Sequence, residues 1–280
     1  MKTAILTDST AYIPKKTRDN LHISMIPLVV NFKNESFEEE IEITTDQFYE
    51  KVRQNDELPT TSQPSIGLFV EKFEQLAHDF DAVISIHLSS GISGTYQGAV
   101  AAGEMVDNIK VFTFDSEISC MMQGFYAIEA AQMANEGKSP NDIIARLNEM
   151  KKTLKAYFMV DDLSHLQRGG RLSSAQAMIG SLLQVKPILH FVDKMIVPSE
   201  KIRTRKKALQ RIIELFEQEA EKGLPMKAVL IHSNRQQEVE KLQDQLEQKF
   251  PHVEFSISYF GPVIGTHLGE GAIGFGWYIK

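Results

Sequence analysis

Short apolar segments alternate with helical patterns as far as residue 135, and this alternation restricts the chain to an α/β fold. The apolar segments are 3–7, 82–88 and 110–114. Each is followed by small polar residues and then by a helical pattern, which is typical of strands buried in a parallel sheet. Between the first two, apolar residues at spacings of three and four predict a helix over 64–80. We therefore expect an N-terminal α/β domain with a mostly parallel sheet and flanking helices.

The order of the elements changes after residue 156. The segments 187–192 and 195–198 predict two adjacent strands of a hairpin, which turns at Asp193-Lys194. The other predicted elements are a strand over 157–160, a helical stretch interrupted at Gly169-Gly170 and restarted at Ser173-Ser174, helices over 205–222 and 235–250, and strands over 227–232 and 253–259. We expect two domains, 1–156 and 157–280, the second an α/β domain with a mixed sheet.

Composition and charge exclude several classes of protein. With 42% hydrophobic and 24% charged residues, the 280-residue chain is neither disordered nor collagen-like. Its 30 Lys and Arg residues against 37 Asp and Glu residues give a net charge of −7. Because phosphate binding depends on clustered cations, this balance argues against nucleic acid as a partner of the general surface. The acidic run 38–40 is most simply a solvated face.

Cysteine content and the apolar segments indicate where the protein resides. Cys120 is the single cysteine, so no internal disulfide can form, as is usual in a reducing cytosol. The first residues lack the apolar stretch of a signal peptide, and no segment is long and apolar enough to span a membrane. We expect a soluble, cytoplasmic protein with at most transient membrane contact.

The loop after the second predicted strand, HLSSGISGT (87–95), is the richest candidate site. Ligands of parallel α/β sheets bind at the carboxyl ends of the strands. Two glycines, several hydroxyls and the start of a helix together favour an anion, either a phosphate or a carboxylate. The alternative is that Ser93 or Thr95 merely caps the helix.

Three further segments carry candidate binding residues. In TTSQP (60–64), one hydroxyl suffices as a helix cap and two are left for a ligand. The glycine-dense loop 261–271, which we expect to be flexible, holds His267. This lone histidine either is structural or contacts a ligand, for which a carboxylate is well suited. The basic cluster KIRTRKK (201–207), with Arg211, is either a solvated face or a docking patch for an acidic or phosphate-bearing partner; Arg168 and Arg171 could serve the same end.

Stock catalytic motifs are missing from the chain. The nucleophile elbow G-x-S-x-G fails because Thr95 stands where the last glycine belongs. No Walker loop is present, because Gly137-Lys138-Ser139 lacks the upstream glycine and the strand before it. No cluster of His, Cys and Asp shows metal-ligand spacing.

A series of short motifs occurs in a fixed order along the chain. They are TDST (7–10), TSQPS (61–65), HLSSGISGTY (87–96), DS (115–116), LQRGGRL (166–172), KPIL (186–189), RTRK (203–206) and GTHLG (265–269). Each motif alone is weak, but the ordered set is specific and covers essentially the whole chain. In these motifs the chain resembles the DegV family of bacterial fatty acid-binding proteins.

The resemblance implies a two-domain α/β fold that holds a long-chain fatty acid between its domains. By analogy with the family, the carboxylate is held by Thr61, Ser62, Ser93, the backbone of Gly94 and, nearby, His267. The family also supplies the binding subunit of a fatty acid kinase, in which a separate ATP-dependent subunit makes acyl phosphate for phospholipid synthesis. The carrier itself is then not an enzyme and needs no cofactor or metal. On this interpretation, docking of the kinase subunit falls to Arg203, Arg205, Lys206 and Arg171.

Two other classes of function remain open from the residues alone. One is an acyl-transfer enzyme, with Ser93 as the nucleophile and His267 as the base. The other is a sensor or regulator for a small molecule or phosphate, in which the basic cluster meets the partner.

Overall fold

The protein divides into two compact units in the computed structural model, which describes residues 1–55, 57–172 and 186–280. The N-terminal unit is Met1–Lys152 and the C-terminal unit is Thr153–Lys280. The domain boundary expected at 156/157 stays a prediction, and it falls within a strand of the C-terminal unit, Lys155–Met159. The predicted helix restart at Ser173-Ser174 lies outside the described residues.

The N-terminal unit contains seven described strands and six helices. The strands are β1 (Thr3–Asp8), β2 (Ile23–Ile26), β3 (Val29–Phe32), β4 (Glu35–Glu38), β5 (Thr60–Ser62), β6 (Ala82–His87) and β7 (Lys110–Asp115). The helices are α1 (Lys15–Leu21), α2 (Thr45–Gln54), α3 (Ile66–Leu76), α4 (Thr95–Gly103), α5 (Cys120–Asn135) and α6 (Pro140–Thr153). A 3-10 turn, Ser9–Ala11, follows β1 directly.

A four-stranded parallel sheet forms the centre of this unit. Its strand order is β2-β1-β6-β7, and every adjacent pair is parallel. All residues of β1 and β6 are buried, as expected for apolar strands that are covered on both faces. Phe69 and Phe73 of α3 pack with Leu6 and Val83 in the core on one side of the sheet. The parallel α/β architecture expected for the first half of the chain is confirmed.

A second, antiparallel sheet in this unit, with the order β4-β3-β5, was not predicted. Strands β4 (ESFE) and β5 (TTS) are short and largely exposed, and they lack the apolar runs that identify buried strands. Strand β3 (VVNF) begins inside the apolar stretch 25–30, which Pro27 interrupts. The hydroxyl residues 60–62 form β5 rather than a helix start. Helix α3 is capped instead by Ser65, which accepts the N–H of Leu68 at 3.2 Å. The expectation that one of the three hydroxyls caps this helix is therefore wrong.

The C-terminal unit contains a six-stranded mixed sheet. Its elements are β8 (Lys155–Met159), α7 (Ser164–Arg168), β9 (Ile188–Val192), β10 (Met195–Glu200), α8 (Arg205–Ala220), β11 (Met226–His232), α9 (Gln236–Lys249), β12 (Val253–Tyr259), α10 (Pro262–Leu268) and β13 (Ile273–Ile279). The order of the described strands is β10-β9-β8-β13-β11-β12, and among them only β11 and β12 are parallel. The mixed sheet is confirmed.

The hairpin of β9 and β10 turns where the sequence predicts. Asp193 and Lys194 have φ values of 47° and 72°. Positive φ at both central residues is the geometry of the two-residue turn that matches the twist of paired antiparallel strands. On the helical side of the sheet, Phe216 of α8 lies against Phe275 and Trp277 of β13.

Two expectations about local structure are wrong. The glycine-dense segment 261–271 contains helix α10, because Pro262 occupies a first-turn position where its missing N–H costs nothing. The acidic run 38–40 is not a solvated face throughout, since Glu39 is 0% exposed. Its carboxylate accepts the hydroxyls of Ser9 and Tyr12, which offset the cost of burial.

Across the described part of the chain, no helix combines the length and the apolar character that a membrane crossing demands.

Candidate functional site

Three strand ends lie side by side at one edge of the parallel sheet. Strands β1, β6 and β7 are neighbours and end at Asp8, His87 and Asp115. The register places His87 directly beside Asp115. This carboxyl edge is where parallel α/β sheets bind ligands. The central strand of the three leads into residues 88–94, which we call the β6–α4 loop.

The Asp8 carboxylate is fully buried and accepts five hydrogen bonds. Its Oδ1 accepts the backbone N–H of Thr10 at 3.1 Å and the Thr10 hydroxyl. Its Oδ2 accepts from His87 Nδ1, from the backbone N–H of Leu88 and from Gln123 Nε2, each at 3.0 Å. These bonds connect the end of β1 to the β6–α4 loop and to helix α5. An ionised carboxylate is suited to this position because it accepts only.

The His87 ring is held on three sides. Its Nδ1 contacts Asp8, its Nε2 lies 2.6 Å from Ser85 Oγ, and its edge meets the Phe69 ring at a centroid distance of 5.1 Å. Asp, His and Ser follow one another here as in a hydrolase triad. However, Ser85 lies within strand β6 and is 0% exposed, so its hydroxyl has no access to a substrate. This chain of bonds supports the fold around the site.

Every backbone N–H of residues 88–93 has an acceptor. In order along the chain, the acceptors are Asp8 Oδ2, Ile118 O, Asp115 Oδ1, Ser89 Oγ and, for the last two N–H groups, Ser89 O. The β6–α4 loop is thus tied to the segments that follow both neighbouring strands. A loop whose N–H groups are all bonded holds one conformation as it enters the next helix.

The start of helix α4 presents backbone N–H groups that have no acceptor in the described residues. Its N-cap is Gly94, which has no side chain to cap the helix. Ser93 Oγ lies 2.8 Å from Thr95 Oγ1 and accepts the Thr95 N–H at 3.3 Å. Within the described residues, the N–H groups of Gly94, Tyr96 and Gln97 have no acceptor. Both Ser93 and Gly94 are half-buried, so this helix start offers a hydroxyl and several N–H groups to an anion.

Gln63 brings a second loop to the same place. Its side chain lies against Gly94, where a Cβ would stand only 2.3 Å from Gln63 Oε1. Glycine at position 94 leaves room for this close approach, whereas a larger residue would require the end of the Gln63 side chain to move. The structure thus joins the TSQP and SGISG loops, as the carboxylate-site prediction requires. Gln63 has no role predicted from the sequence, because nothing in the order of the residues indicates which glycine its side chain covers.

Thr61 and Ser62 point to opposite faces of strand β5. Thr61 pairs with Val30, which is fully buried, and is itself half-buried. Ser62 is exposed, and its hydroxyl accepts Asn31 Nδ2 at 2.9 Å. The two neighbouring hydroxyls therefore have different surroundings, and their predicted shared role calls for separate variants.

His267 lies in a helix rather than in the flexible loop expected from sequence. Helix α10 places its Nδ1 against Gly169, where a Cβ would be 2.3 Å away. Burial, followed by the positive charges of Arg171 and His165, lowers the pKa of His267 to about 4. The His165 ring in turn lies against Gly269, whose φ is 75°. Each histidine thus packs against the glycine that follows the other's helix, and the two contacts hold α7 and α10 together.

The four predicted docking residues have different surroundings. Arg203 and Lys206 are exposed. Arg205 is half-buried and forms a bidentate pair with the Glu238 carboxylate, at 2.7 and 2.9 Å. Arg171 is also half-buried, donates to the carbonyl of Gly169 and has its pKa lowered by burial. Only the first two present their charges freely to a partner.

The site in the N-terminal unit is suited to hold an anion through neutral donors. Ser93 Oγ is hydrogen-bonded to the hydroxyl and the backbone N–H of Thr95, and neither of these two groups can act as a general base. Among residues 1–55, 57–172 and 186–280, no group of His, Cys, Asp and Glu could hold a metal ion. The chemistry available from these donors is recognition of an oxyanion, either a carboxylate or a phosphate.

Comparison with known proteins gives matches over the full length. Residues 2–280 match the family model described as "Uncharacterised protein, DegV family". Protein DegV of Bacillus subtilis (strain 168) is 63% identical over 281 residues, covering 100% of each chain. The crystal structure of DegV from Bacillus subtilis, described as a fatty acid binding protein, has a TM-score of 0.96 over 100% of both chains.

A more distant structure agrees in fold. A DegV family protein from Thermus thermophilus, described by its fatty acid binding, has a TM-score of 0.92 at 31% identity and covers 100% of each chain. The parallel sheet, the mixed sheet and these full-length matches lead to one conclusion: the chain belongs to the DegV family.

Proposed function

We propose that this protein binds a long-chain fatty acid and holds its carboxylate at the start of helix α4. The Ser93 hydroxyl and the N–H groups that begin with Gly94 are the donors, and Thr61, Ser62 and His267 are further predicted contacts. The observation that carries the proposal is the set of N–H groups at this helix start that lack an acceptor in the described residues. Fatty acid binding by the relatives from Bacillus subtilis and Thermus thermophilus supports it.

The acyl tail supplies most of the affinity in this proposal. A chain of ~16 carbons that buries ~0.8 kcal/mol per CH₂ gains on the order of 10 kcal/mol before the costs of ordering. Neutral donors add less than an ion pair would, but they fix the position of the head group. The β6–α4 loop holds no Lys or Arg, so neither carboxylate oxygen is engaged in an ion pair there, and one of them can act as a nucleophile.

A carboxylate held in this way suits phosphorylation by another protein. We propose that a separate ATP-dependent kinase subunit acts on the bound acid: a carboxylate oxygen attacks the γ-phosphate, and ADP leaves. The acyl phosphate then serves phospholipid synthesis in the cytoplasm. The protein is a carrier without catalytic activity of its own, and it needs no cofactor. The side chains of Ser85 and Ser93 support this part, since neither combines access with a neighbouring base.

Mass spectrometry of the purified protein tests the carrier proposal. Under native conditions, we expect an adduct with the mass of a long-chain fatty acid, which solvent extraction releases as the free acid. The double variant Thr61→Ala/Ser93→Ala should bind fatty acid more weakly while it keeps its fold. The double variant Thr17→Ala/Ser256→Ala is the control, because it removes two hydroxyls outside these loops. An apo mass that persists with a panel of fatty acids would refute the proposal.

Charge reversal tests the proposed kinase contact. The double variant Arg203→Glu/Lys206→Glu should retain fatty acid but slow the formation of acyl phosphate. The variant Lys110→Glu/Lys138→Glu changes the net charge equally, at exposed lysines of the other unit, and should react normally. Arg205 is predicted to contribute, but its reversal would also break the Glu238 pair. Equal rates for both double variants would assign Arg203 and Lys206 to a solvated face.

A further inference from the structure

We propose that Asp8 and Asp115 are positioning residues for the fatty acid head group. They act through the backbone of the β6–α4 loop and do not themselves touch the ligand. This inference rests on the proposed function, because it assigns the residues that hold the donors of that site in place. It extends the proposal to two acidic side chains that sequence analysis left without a role.

Both carboxylates accept hydrogen bonds from the β6–α4 loop, and each stands at the end of a strand next to β6. Asp8 ends β1 and accepts the N–H of Leu88, while Asp115 ends β7 and accepts the N–H of Ser90 at 3.1 Å. Asp115 Oδ1 also accepts the N–H of Glu117 at 3.1 Å. The central loop is therefore fastened on both sides, within a few residues of the point where α4 begins.

These hydrogen bonds determine which backbone N–H groups of the loop remain available to a ligand. The N–H groups of residues 88–93 are bonded internally, so in the part of the chain that the structure describes the first N–H group without an acceptor is that of Gly94. If the bonds to residues 88 and 90 are lost, these two N–H groups must find new acceptors and the loop can turn. The Ser93 hydroxyl and the open N–H groups then no longer converge on one position. Preorganised donors bind an anion without this cost of reorganisation.

Asp8 cannot be replaced by its amide. Each of its oxygens accepts a backbone N–H group, which can only donate: that of Thr10 on Oδ1 and that of Leu88 on Oδ2. Either orientation of an asparagine would point its NH₂ group at other donors. Asp8→Asn should therefore release the loop although it preserves the size of the side chain.

Asp115 offers the complementary pair of variants. One oxygen makes both bonds to the loop segments, so Asp115→Asn can keep them with its amide oxygen. Asp115→Ala removes them. A positioning role thus predicts loss in the alanine variant and recovery of most of that loss in the asparagine variant.

Simple electrostatics predicts the opposite sign for the change in affinity. Removing a negative charge near a bound anion should strengthen binding if only Coulomb interactions change. Positioning predicts weaker binding, because the donors are misplaced. The direction of the change therefore separates the two effects.

The experiment compares the binding of palmitic acid and cetyl alcohol, which share a tail but differ in head group. The readout is the ratio of the two dissociation constants, measured on delipidated full-length protein. We expect Asp8→Asn and Asp115→Ala to weaken palmitic acid binding by about tenfold, which corresponds to the loss of one or two hydrogen bonds, and to leave cetyl alcohol within about twofold. Asp115→Asn should recover most of the preference for the acid.

Tyr12→Phe is the matched control. It removes a buried hydrogen bond to Glu39 in the same unit, at 2.8 Å, and should lower stability without changing the preference for the acid. An equal loss of preference in Tyr12→Phe would indicate general loosening and overturn the proposal, as would an unchanged or stronger preference in Asp115→Ala. If Asp8→Asn does not fold, the two Asp115 variants carry the test. If the wild-type protein binds neither ligand, the proposed function itself is refuted. If the wild-type protein binds palmitic acid, the variants test only the positioning roles of Asp8 and Asp115.

Discussion

At His267, burial and nearby positive charge act on the proton in the same direction. Removal from water disfavours the imidazolium, and Arg171 and His165 add repulsion, so the pKa falls to about 4. At neutral pH the ring is therefore neutral. A neutral imidazole can still donate a hydrogen bond to a carboxylate.

This lowered pKa makes stability depend on pH. An exposed histidine titrates at about 6.5, so between pH 6.5 and 4 the unfolded chain binds more protons at this residue than the folded one. The contribution is complete above pH 6.5 and is lost as the pH falls toward 4. We expect it to cost about 2 kcal/mol of the free energy of unfolding between pH 7 and pH 5. Urea unfolding at both pH values should show a smaller loss in His267→Gln, and an equal loss would contradict this account.

The contact of Gln63 with Gly94 can be measured by a double-mutant cycle. Gly94→Ala should lower the free energy of unfolding by about 1 kcal/mol, because alanine is a poor N-cap and its Cβ collides with Gln63 Oε1. In a Gln63→Ala background, the cost should be smaller by about 0.5 kcal/mol or more. Gly67→Ala is the control, since a Cβ there meets only Ser65 Oγ, at 3.9 Å. Equal costs of Gly94→Ala in both backgrounds would rule out the contact.

At the scale of elements, ion pairs join the N-terminal ends of α8 and α9. Arg205, the first residue of α8, makes a bidentate pair with Glu238 in the first turn of α9. Arg205 Nε also lies 3.4 Å from Asp161 Oδ1. The hydrogen bond to Glu238 is the main cause of the raised pKa of Arg205, and the Asp161 charge adds to it. Bidentate geometry makes this pair stronger than a typical exposed one.

We expect Arg205→Ala to destabilise the protein by about 1 kcal/mol, a value reduced for solvent screening because both partners are partly exposed. Arg203→Ala, two residues earlier and exposed, should change stability by less than about 0.5 kcal/mol. Thermal or urea unfolding of both variants at low and high salt gives the comparison. If both variants lose the same stability, the Arg205 pair does not join the helices.

The elements that sequence predicts are those whose local pattern matches their final surroundings. Strands β1, β6 and β7 are predicted correctly, because a parallel strand that is covered on both faces is apolar throughout. No strand is predicted over β13, in which Gly274 and Gly276 interrupt the apolar pattern. In the structure, Gly274 allows the Phe260 ring to come within 3.0 Å of where a Cβ would be. Such a requirement arises from tertiary packing, which local sequence does not encode.

The candidate site likewise has one part that the sequence predicts and one part that depends on tertiary structure. Hydroxyls and glycines at a strand end predict an anion site, and the structure joins the two loops that carry them. The hydrogen bonds from the β6–α4 loop to Asp8 and Asp115 depend on which strands are neighbours in the sheet. That order follows from the whole sheet, so the motif TDST (7–10) could not reveal the five bonds on Asp8.

At the scale of the whole molecule, an acidic protein is proposed to bind an anionic ligand. The net charge of −7 repels a carboxylate at long range, but salt screens this beyond about 10 Å. Close donors and burial of the tail must therefore supply the affinity. This combination selects a ligand with a long apolar chain over a small free anion, because the head group alone gains little.

Ligand binding of this kind should stabilise the folded protein by mass action. At a free palmitic acid concentration of about 100 times Kd, the gain is about 2.7 kcal/mol, and the thermal midpoint of delipidated protein should rise by roughly 5–10 °C. Thr61→Ala/Ser93→Ala should show a smaller rise at the same concentration, because it keeps the tail contacts and loses head-group donors. Inorganic phosphate and acetate should give almost no rise, since they lack the tail. Scanning calorimetry with each ligand makes the comparison, and a rise with acetate equal to that with palmitic acid would mean that the head group, and not the tail, supplies the binding energy.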